Sequence, residues 1–244
     1  MGADGGATRR RQAVWNGRGL TSAFVASVAA GLSAADLVAE RRGLVADLKS
    51  VGPEAPTLAD RWLARDLAAH VAATEQLRGA PTFVGRTLVM RYGLRLNETF
   101  RPIMAVDLRR FRRHGFDWAL RRLEQPPPPL LFRTSLLPVG VFEVFVHRED
   151  VRRANGLTRE PVAADLTPCI HWLLRYHRRL LGRHGVHVVL SDGREIHGGA
   201  AETALTIRGD ADEVLLWLAG RRRAAAVTLV HEGDAAMAIE RLEV

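Results

Sequence analysis

The chain contains three residues whose types could together bind a divalent metal ion: His70, Glu143 and His147. If the segment that carries Glu143 and His147 is helical, their spacing places both side chains on one face, where they can bind the same ion. His70 would supply a third ligand from a different helix. Two neutral imidazoles and one carboxylate suit zinc, and three protein ligands leave one coordination position for water or substrate. Such an ion acidifies a neighbouring water or thiol, so the pattern permits chemistry as well as binding.

The same spacing is also typical of a surface ion pair, because any helix with a Glu-x-x-x-His pattern brings these side chains together. The neighbours Phe142, Phe145 and Val146 are apolar and favour a buried position. A buried glutamate is costly unless it is paired or bound to a metal. Spacing alone therefore favours the ion pair, and the apolar neighbours strengthen the case for the metal site only modestly.

Two aspartates are expected to support the site. Asp150 lies three residues after His147 on the same helical face. It could be a fourth ligand, accept a hydrogen bond from a ligand imidazole, or pair with an arginine. Asp66 lies four residues before His70 and could orient that ring in a similar way.

Helices are expected to position the candidate ligands. One helix is predicted to start after Ser33, which can act as its cap, and to end at Gly52. A second begins near residues 60–63 and has His70 beside its apolar stripe. A third is predicted from about residue 101 to 123. The proline run that follows, residues 126–129, is expected to break all regular structure.

The segment from residue 139 to 156 can be interpreted in two ways. Its valines and phenylalanines favour a strand, whereas residues 148–154 favour a helix and Asn155-Gly156 a helix end. We interpret the segment as a helix.

After Pro161 the pattern becomes mixed. The predicted elements are a helix over 164–181, strands over 186–190, 204–207 and 226–230 with a hairpin-type turn at Asp192-Gly193, a helix over 210–220, and a short helix from Asp234. The sequence thus predicts an α+β fold of two domains. Residues 1–33 form a leader, residues 34–158 a helical metal-binding domain, and residues 160–244 a small α+β domain.

The composition restricts the function classes. With 244 residues, of which 47% are hydrophobic, the chain can form one large or two ordinary domains with buried cores. The net charge of +8 invites a nucleic-acid partner. The arginines are, however, spread along the chain and interrupted by acids, so we predict no nucleic-acid binding. Apolar runs stay shorter than the roughly 18 residues of a membrane span, so no membrane partner is expected.

Cys169 is the single cysteine, which excludes an intramolecular disulfide and a four-cysteine zinc site. We expect it to be an inert core residue in a cytoplasmic protein. Residues 1–33 contain three consecutive arginines before a weakly apolar stretch, which loosely resembles an export signal. We interpret them as a flexible leader instead.

Two motifs carry a resemblance to a known family. The stretch APTLADRWLARDLAAH at 55–70, together with FVHREDVRRA at 145–154, resembles the DinB-like superfamily. Within it, the match is to the mycothiol-dependent maleylpyruvate isomerase-like group of metal-binding proteins. The resemblance implies an N-terminal DinB-like four-helix bundle and a smaller C-terminal sterol-carrier-like α+β domain. It also implies that a second-helix histidine and a Glu-x-x-x-His pair of the last helix hold the metal, and these fall on His70, Glu143 and His147.

The resemblance further implies a metal-dependent thiol transferase or isomerase, with mycothiol as cosubstrate and a small electrophile as substrate. That family also uses a C-terminal arginine on the substrate carboxylate. Arg208 and the run 221–223 are candidates by their chemistry, although the run could equally be a solvated helix end. The alternative function is a non-catalytic metal-binding module whose C-terminal domain binds a ligand or partner.

One position departs from the family pattern. Leu63 follows Trp62 where the family usually has a threonine or serine that caps the helix. Asp66 thereby loses its capping partner, or Asp60 caps the helix instead. The other seven histidines are predicted to be structural or exposed: His114, His171, His177, His184, His187, His197 and His231. Only His184 and His187 have a partner at ligand spacing, and these two lie in a predicted passage from loop to strand without an acid between them.

Overall fold

The computed structural model describes most of the chain from residue 31 onward. The described residues are 31–59, 62–75, 109, 112–133, 136–158, 162, 164–181, 185–199 and 203–231. Several predictions lie wholly or partly outside them: most of the leader, Asp60 as a helix cap, residues 101–108 of the predicted third helix, His184, and the short helix from Asp234.

The described part contains α-helices, one 3-10 helix and a four-stranded sheet, which confirms the α+β class. In chain order the elements are α1 Ala34–Val51, α2 Ala64–Thr74, α3 Phe116–Glu124, the 3-10 helix Pro129–Phe132, α4 Leu137–Ala154, α5 Thr167–Leu181, β1 Gly185–Leu190, β2 Glu195–Gly199, β3 Thr203–Gly209, α6 Ala211–Leu218 and β4 Thr228–His231.

Helix α1 begins and ends where the sequence predicts. The Ser33 hydroxyl accepts a hydrogen bond from the Asp36 backbone N–H, and the Asp36 carboxylate accepts one from the Ser33 backbone N–H at 2.7 Å. These bonds satisfy donors that the first turn of a helix leaves without partners. The helix ends at Gly52, whose φ of 80° is rarely adopted by other residues.

The third helix differs from the prediction. The prediction of a helix that continues through residue 115 is wrong. Gly115 has a φ of 81°, and α3 begins only at Phe116. A helical residue needs a negative φ, so the glycine interrupts the backbone although the apolar spacing continues past it. The proline run also differs slightly, since its last member starts the 3-10 helix Pro129–Phe132.

The ambiguous segment is helical, as we interpreted it. Helix α4 runs from Leu137 to Ala154 and ends at Asn155 and Gly156, the latter with a φ of 65°. Its strand-favouring residues are buried; Val141 and Phe145, for example, are both fully inaccessible to solvent. Tertiary burial therefore outweighs their local strand propensity.

The sheet has the strand order β2-β1-β3-β4. Strand β1 is antiparallel to β2 and parallel to β3, and β4 is antiparallel to β3. The predicted turn at Asp192-Gly193 joins β1 to β2. Strand β2 was not among the predicted strands. Helix α5 packs closely on β2 at Gly198, where an added Cβ would lie 2.9 Å from the Leu174 Cβ.

The helical and sheet parts pack against each other. Helix α1 packs against α4, α2 against α3, and the buried apolar side chains form one cluster through both parts. The Arg153 guanidinium of α4 also pairs with Glu213 of α6 at 2.6 Å. The division into domains at residues 158–160 stays a prediction. Among the residues that the structure describes, every helix is too short or too polar to span a bilayer.

Candidate metal centre

Helices α2 and α4 bring the three candidate ligands together. One donor atom each of His70, Glu143 and His147 lies within 4.8 Å of the others. The Nε2 atom of His147 lies 3.7 Å from an oxygen of Glu143, and the rings of His70 and His147 meet edge to face with centroids 5.1 Å apart. Donors bound to one zinc ion in tetrahedral geometry lie about 3.3 Å apart, given bond lengths of about 2.0–2.1 Å. Small side-chain rotations would therefore bring this donor set around a single ion.

The three side chains are largely shielded from solvent. His70 and His147 are 7% and 8% exposed, and the Glu143 side chain is 13% exposed. Trp62, directly before α2, packs its ring against that of His70 with centroids 4.7 Å apart. Low solvent access strengthens the attraction between a carboxylate and a cation held beside it.

Asp150 fixes the orientation of the His147 ring. The Nδ1–H of His147 donates a hydrogen bond of 3.0 Å to the Asp150 carboxylate, one turn further along α4. Because a carboxylate only accepts, a proton lies on Nδ1, which leaves Nε2, directed toward Glu143, as the nitrogen that could give its lone pair to a metal ion. This is the tautomer that a metal-binding histidine needs.

Asp150 is itself held by an arginine from the far end of the chain. Arg221, just after α6, binds both oxygens of the fully buried Asp150 carboxylate, at 2.9 and 2.7 Å. Burial would raise the pKa of Asp150, but the hydrogen bonds from Arg221 and His147 outweigh it and hold that pKa below its ordinary value. The carboxylate is thus ionised at neutral pH.

The pKa of His147 is shifted in the opposite direction. Burial alone would lower it, but the hydrogen bonds and negative charges of Asp150 and Glu143 together raise it above the ordinary histidine value. The two carboxylates therefore favour a positive charge at this position. A metal cation would meet the same favourable field as a proton does.

The arginine candidates for a substrate carboxylate take different places. Arg221 is occupied by the internal carboxylate of Asp150, and the Arg222 guanidinium lies over the Trp217 ring at 5.2 Å. Arg208 and Arg223 are exposed to solvent. The alternative that residues 221–223 form a solvated helix end therefore fits Arg223 and does not fit Arg221.

Asp66 has partners at the start of α2, and its predicted support of His70 stays a prediction. One carboxylate oxygen accepts a hydrogen bond from the Leu63 backbone N–H at 3.2 Å, and the other pairs with Arg112 at 2.8 Å. Asp66 thus contributes half of a capping box at the start of α2 even though Leu63 has no hydroxyl to complete it.

The sequence analysis allowed Asp150 to pair with an arginine but did not identify Arg221 as that partner, and it missed a second group of residues entirely. Arg221 is 71 positions from Asp150, and no local pattern connects them. The second group is His187, Glu195 and His197, whose donor atoms also lie within 4.8 Å of one another. The sequence analysis did not bring His187 and His197 together, because it considered spacing along the chain and not pairing between strands.

Comparisons with known proteins give a likeness in structure only. No protein-family model matches the chain, and no curated protein matches it in sequence. The crystal structure of the mycothiol-dependent maleylpyruvate isomerase is similar to it, with a TM-score of 0.42 and 14% identity, over 86% of this chain and 93% of that chain. A histidine-to-alanine mutant of that isomerase gives a TM-score of 0.41 and 13% identity over the same shares.

Proposed function

We propose that the protein binds a divalent metal ion, with zinc as the expected species, through His70, Glu143 and His147, and uses it in thiol chemistry. The reaction we propose is a mycothiol-dependent transfer or isomerisation of the maleylpyruvate isomerase type. The observation that supports the proposal is the convergence of the three donor atoms within 4.8 Å, beside a ring that Asp150 holds in the metal-binding tautomer.

The donor set fits the metal. Two imidazoles and a carboxylate are the ligands found in many catalytic zinc sites, which use three protein ligands rather than four. When bound, the ion would lower the pKa of a thiol held beside it, so that the thiolate is available near neutral pH.

The residues of the chain provide position and charge. Asp150 keeps the Nδ1 proton of His147 in place, and Arg221 keeps Asp150 ionised and oriented. Trp62 and the low exposure of His70 exclude most water from the site. These contacts hold the three ligands in a geometry that changes little on binding, which reduces the entropic cost of assembling the site.

The thiol cosubstrate and the electrophile are the most specific parts of the proposal, and they derive from the sequence resemblance. Purified protein loaded with zinc would be incubated with mycothiol and either maleylpyruvate or a chlorinated aromatic compound. We expect an isomer or a thiol adduct, and we expect neither from the His70→Ala variant. Absence of product with every electrophile from metal-loaded wild type would contradict the thiol chemistry but leave the metal centre standing.

A non-catalytic metal-binding module is the second candidate, because a buried ion that joins α2 to α4 would also stabilise the fold. Thermal unfolding distinguishes the two. In both cases zinc raises the melting temperature, since a ligand that binds only the native state stabilises it. Only a thiol-binding site gives a further rise when mycothiol is added to the zinc-loaded protein.

A further inference from the structure

The exposed face of the sheet carries two histidines and a glutamate side by side. His187 of β1 lies directly opposite His197 of β2 in the antiparallel register, and Glu195 is two residues before His197. Side chains two residues apart in a strand point to the same face, and directly opposed residues have Cβ atoms about 4.5–5.5 Å apart. The alternate residues Val188 and Ile196 are buried on the other face. The backbone pairing therefore fixes all three polar side chains on one surface.

The three side chains already meet at short distances. The imidazole rings of His187 and His197 stack with centroids 4.2 Å apart and planes within 7° of parallel. The Glu195 carboxylate lies 3.1 Å from His187 Nε2 and 4.0 Å from His197 Nε2. Both Nε2 atoms thus face one carboxylate.

We propose that His187, Glu195 and His197 form a second divalent-metal site, for a cation of the zinc, nickel and copper group. Imidazole ligands suit these metals, whereas magnesium and calcium prefer oxygen ligands throughout. The donor atoms lie within 4.8 Å of one another, and rotation of the His197 and Glu195 side chains, which are 63% and 56% exposed, can bring them toward the separation of about 3.3 Å expected around a tetrahedral ion.

The strand pairing makes the site partly preformed. The turn at Asp192-Gly193 and the ladder between β1 and β2 hold the two histidines opposite each other before any ion binds. An ion there would clip β2, the edge strand of the sheet, to β1. The surface position lets solvent compete, so the site binds more weakly than the buried centre formed by α2 and α4.

The second site does not depend on the proposed function, because it uses other residues on other elements. Its test is zinc titration by calorimetry on protein without a histidine tag. The His70→Ala variant removes a ligand of the buried centre and leaves the sheet cluster intact. We expect this variant to bind one zinc ion per chain. Adding His187→Ala or Glu195→Gln should weaken that binding by about 100-fold or more, since even residues that only support a ligand change affinity by 10–100-fold.

His114→Ala, combined with His70→Ala, is the matched control. His114 is an exposed histidine stacked on Trp118, away from the sheet, so its loss should leave zinc binding unchanged. Circular dichroism of each variant without metal verifies that it folds. The proposal is overturned if the His70→Ala protein binds no zinc, or if its zinc binding survives both His187→Ala and Glu195→Gln. Either result leaves the buried centre to be judged by its own variants.

Discussion

Replacing Arg221 by glutamine should destabilise the protein strongly, because it leaves the Asp150 carboxylate without its main charge partner. Asp150 is completely buried, and the Arg221 side chain is 18% exposed. Removing one partner of a buried ion pair costs about 3–5 kcal/mol. Because Arg221 retains some contact with solvent, water can partly replace it, and we expect the lower end, about 3 kcal/mol.

The assay is urea unfolding of the metal-free protein, with Arg223→Gln as the matched control. Arg223 is an exposed arginine two positions away, so its replacement should change the free energy of unfolding by at most about 0.5 kcal/mol. The loss in free energy of unfolding caused by Arg221→Gln should become smaller as the pH is lowered. Protonation of Asp150 removes the carboxylate charge that the variant leaves unbalanced.

The same variant should also weaken zinc binding at the buried centre. Arg221 acts on the metal through Asp150 and His147, and loss of such a supporting residue lowers metal affinity by about 10–100-fold. Arg221→Lys keeps the charge but cannot bind both oxygens of Asp150 in the same geometry. Its zinc affinity should therefore lie between those of wild type and Arg221→Gln. If Arg221→Gln and Arg223→Gln are equally stable and bind zinc equally well, the linkage from Arg221 to His147 is refuted.

Three further results are expected. Arg41→Ala should cost about 3–5 kcal/mol, because Arg41 forms a buried ion pair with a glutamate after α2, whereas Lys49→Ala removes an exposed pair and should cost at most about 1 kcal/mol in the same unfolding assay. Gly198→Ala should cost about 1–3 kcal/mol by thermal unfolding, since the new Cβ would lie 2.9 Å from Leu174, and an unchanged melting temperature would contradict this packing. Burial raises the pKa of the Cys169 thiol, so a thiol reagent should label it slowly in native protein and rapidly in urea; equal rates would show that α5 is not packed as described.

The helices and the pairing of Glu143 with His147 were accessible from the sequence because they depend on local spacing, whereas the family resemblance supported His70 as the third ligand. Ser33 with Asp36 predicted the start of α1, and the four-residue spacing from Glu143 to His147 predicted a shared face of α4. The helix break at Gly115 was missed since a positive φ leaves the apolar periodicity around it intact. Local patterns thus predict which elements form better than where they end.

The missed residues depend on contacts between distant parts of the chain. Arg221 meets Asp150 only after α6 has packed beside α4, and His187 meets His197 only in the register of the β1–β2 pair. The two-residue spacing of Glu195 and His197 could have revealed this cluster. In a strand over 195–199, that spacing places both side chains on the same face.

The most direct test of the central claim is zinc content measured with His187→Ala as the background, so that the sheet cluster does not contribute. Elemental analysis after loading and desalting would compare this background with the same protein carrying His70→Ala or Glu143→Ala. We predict one zinc ion per chain in the background and almost none in either double variant. Zinc at one ion per chain in all three proteins, or in none of them, would contradict a metal centre at His70, Glu143 and His147.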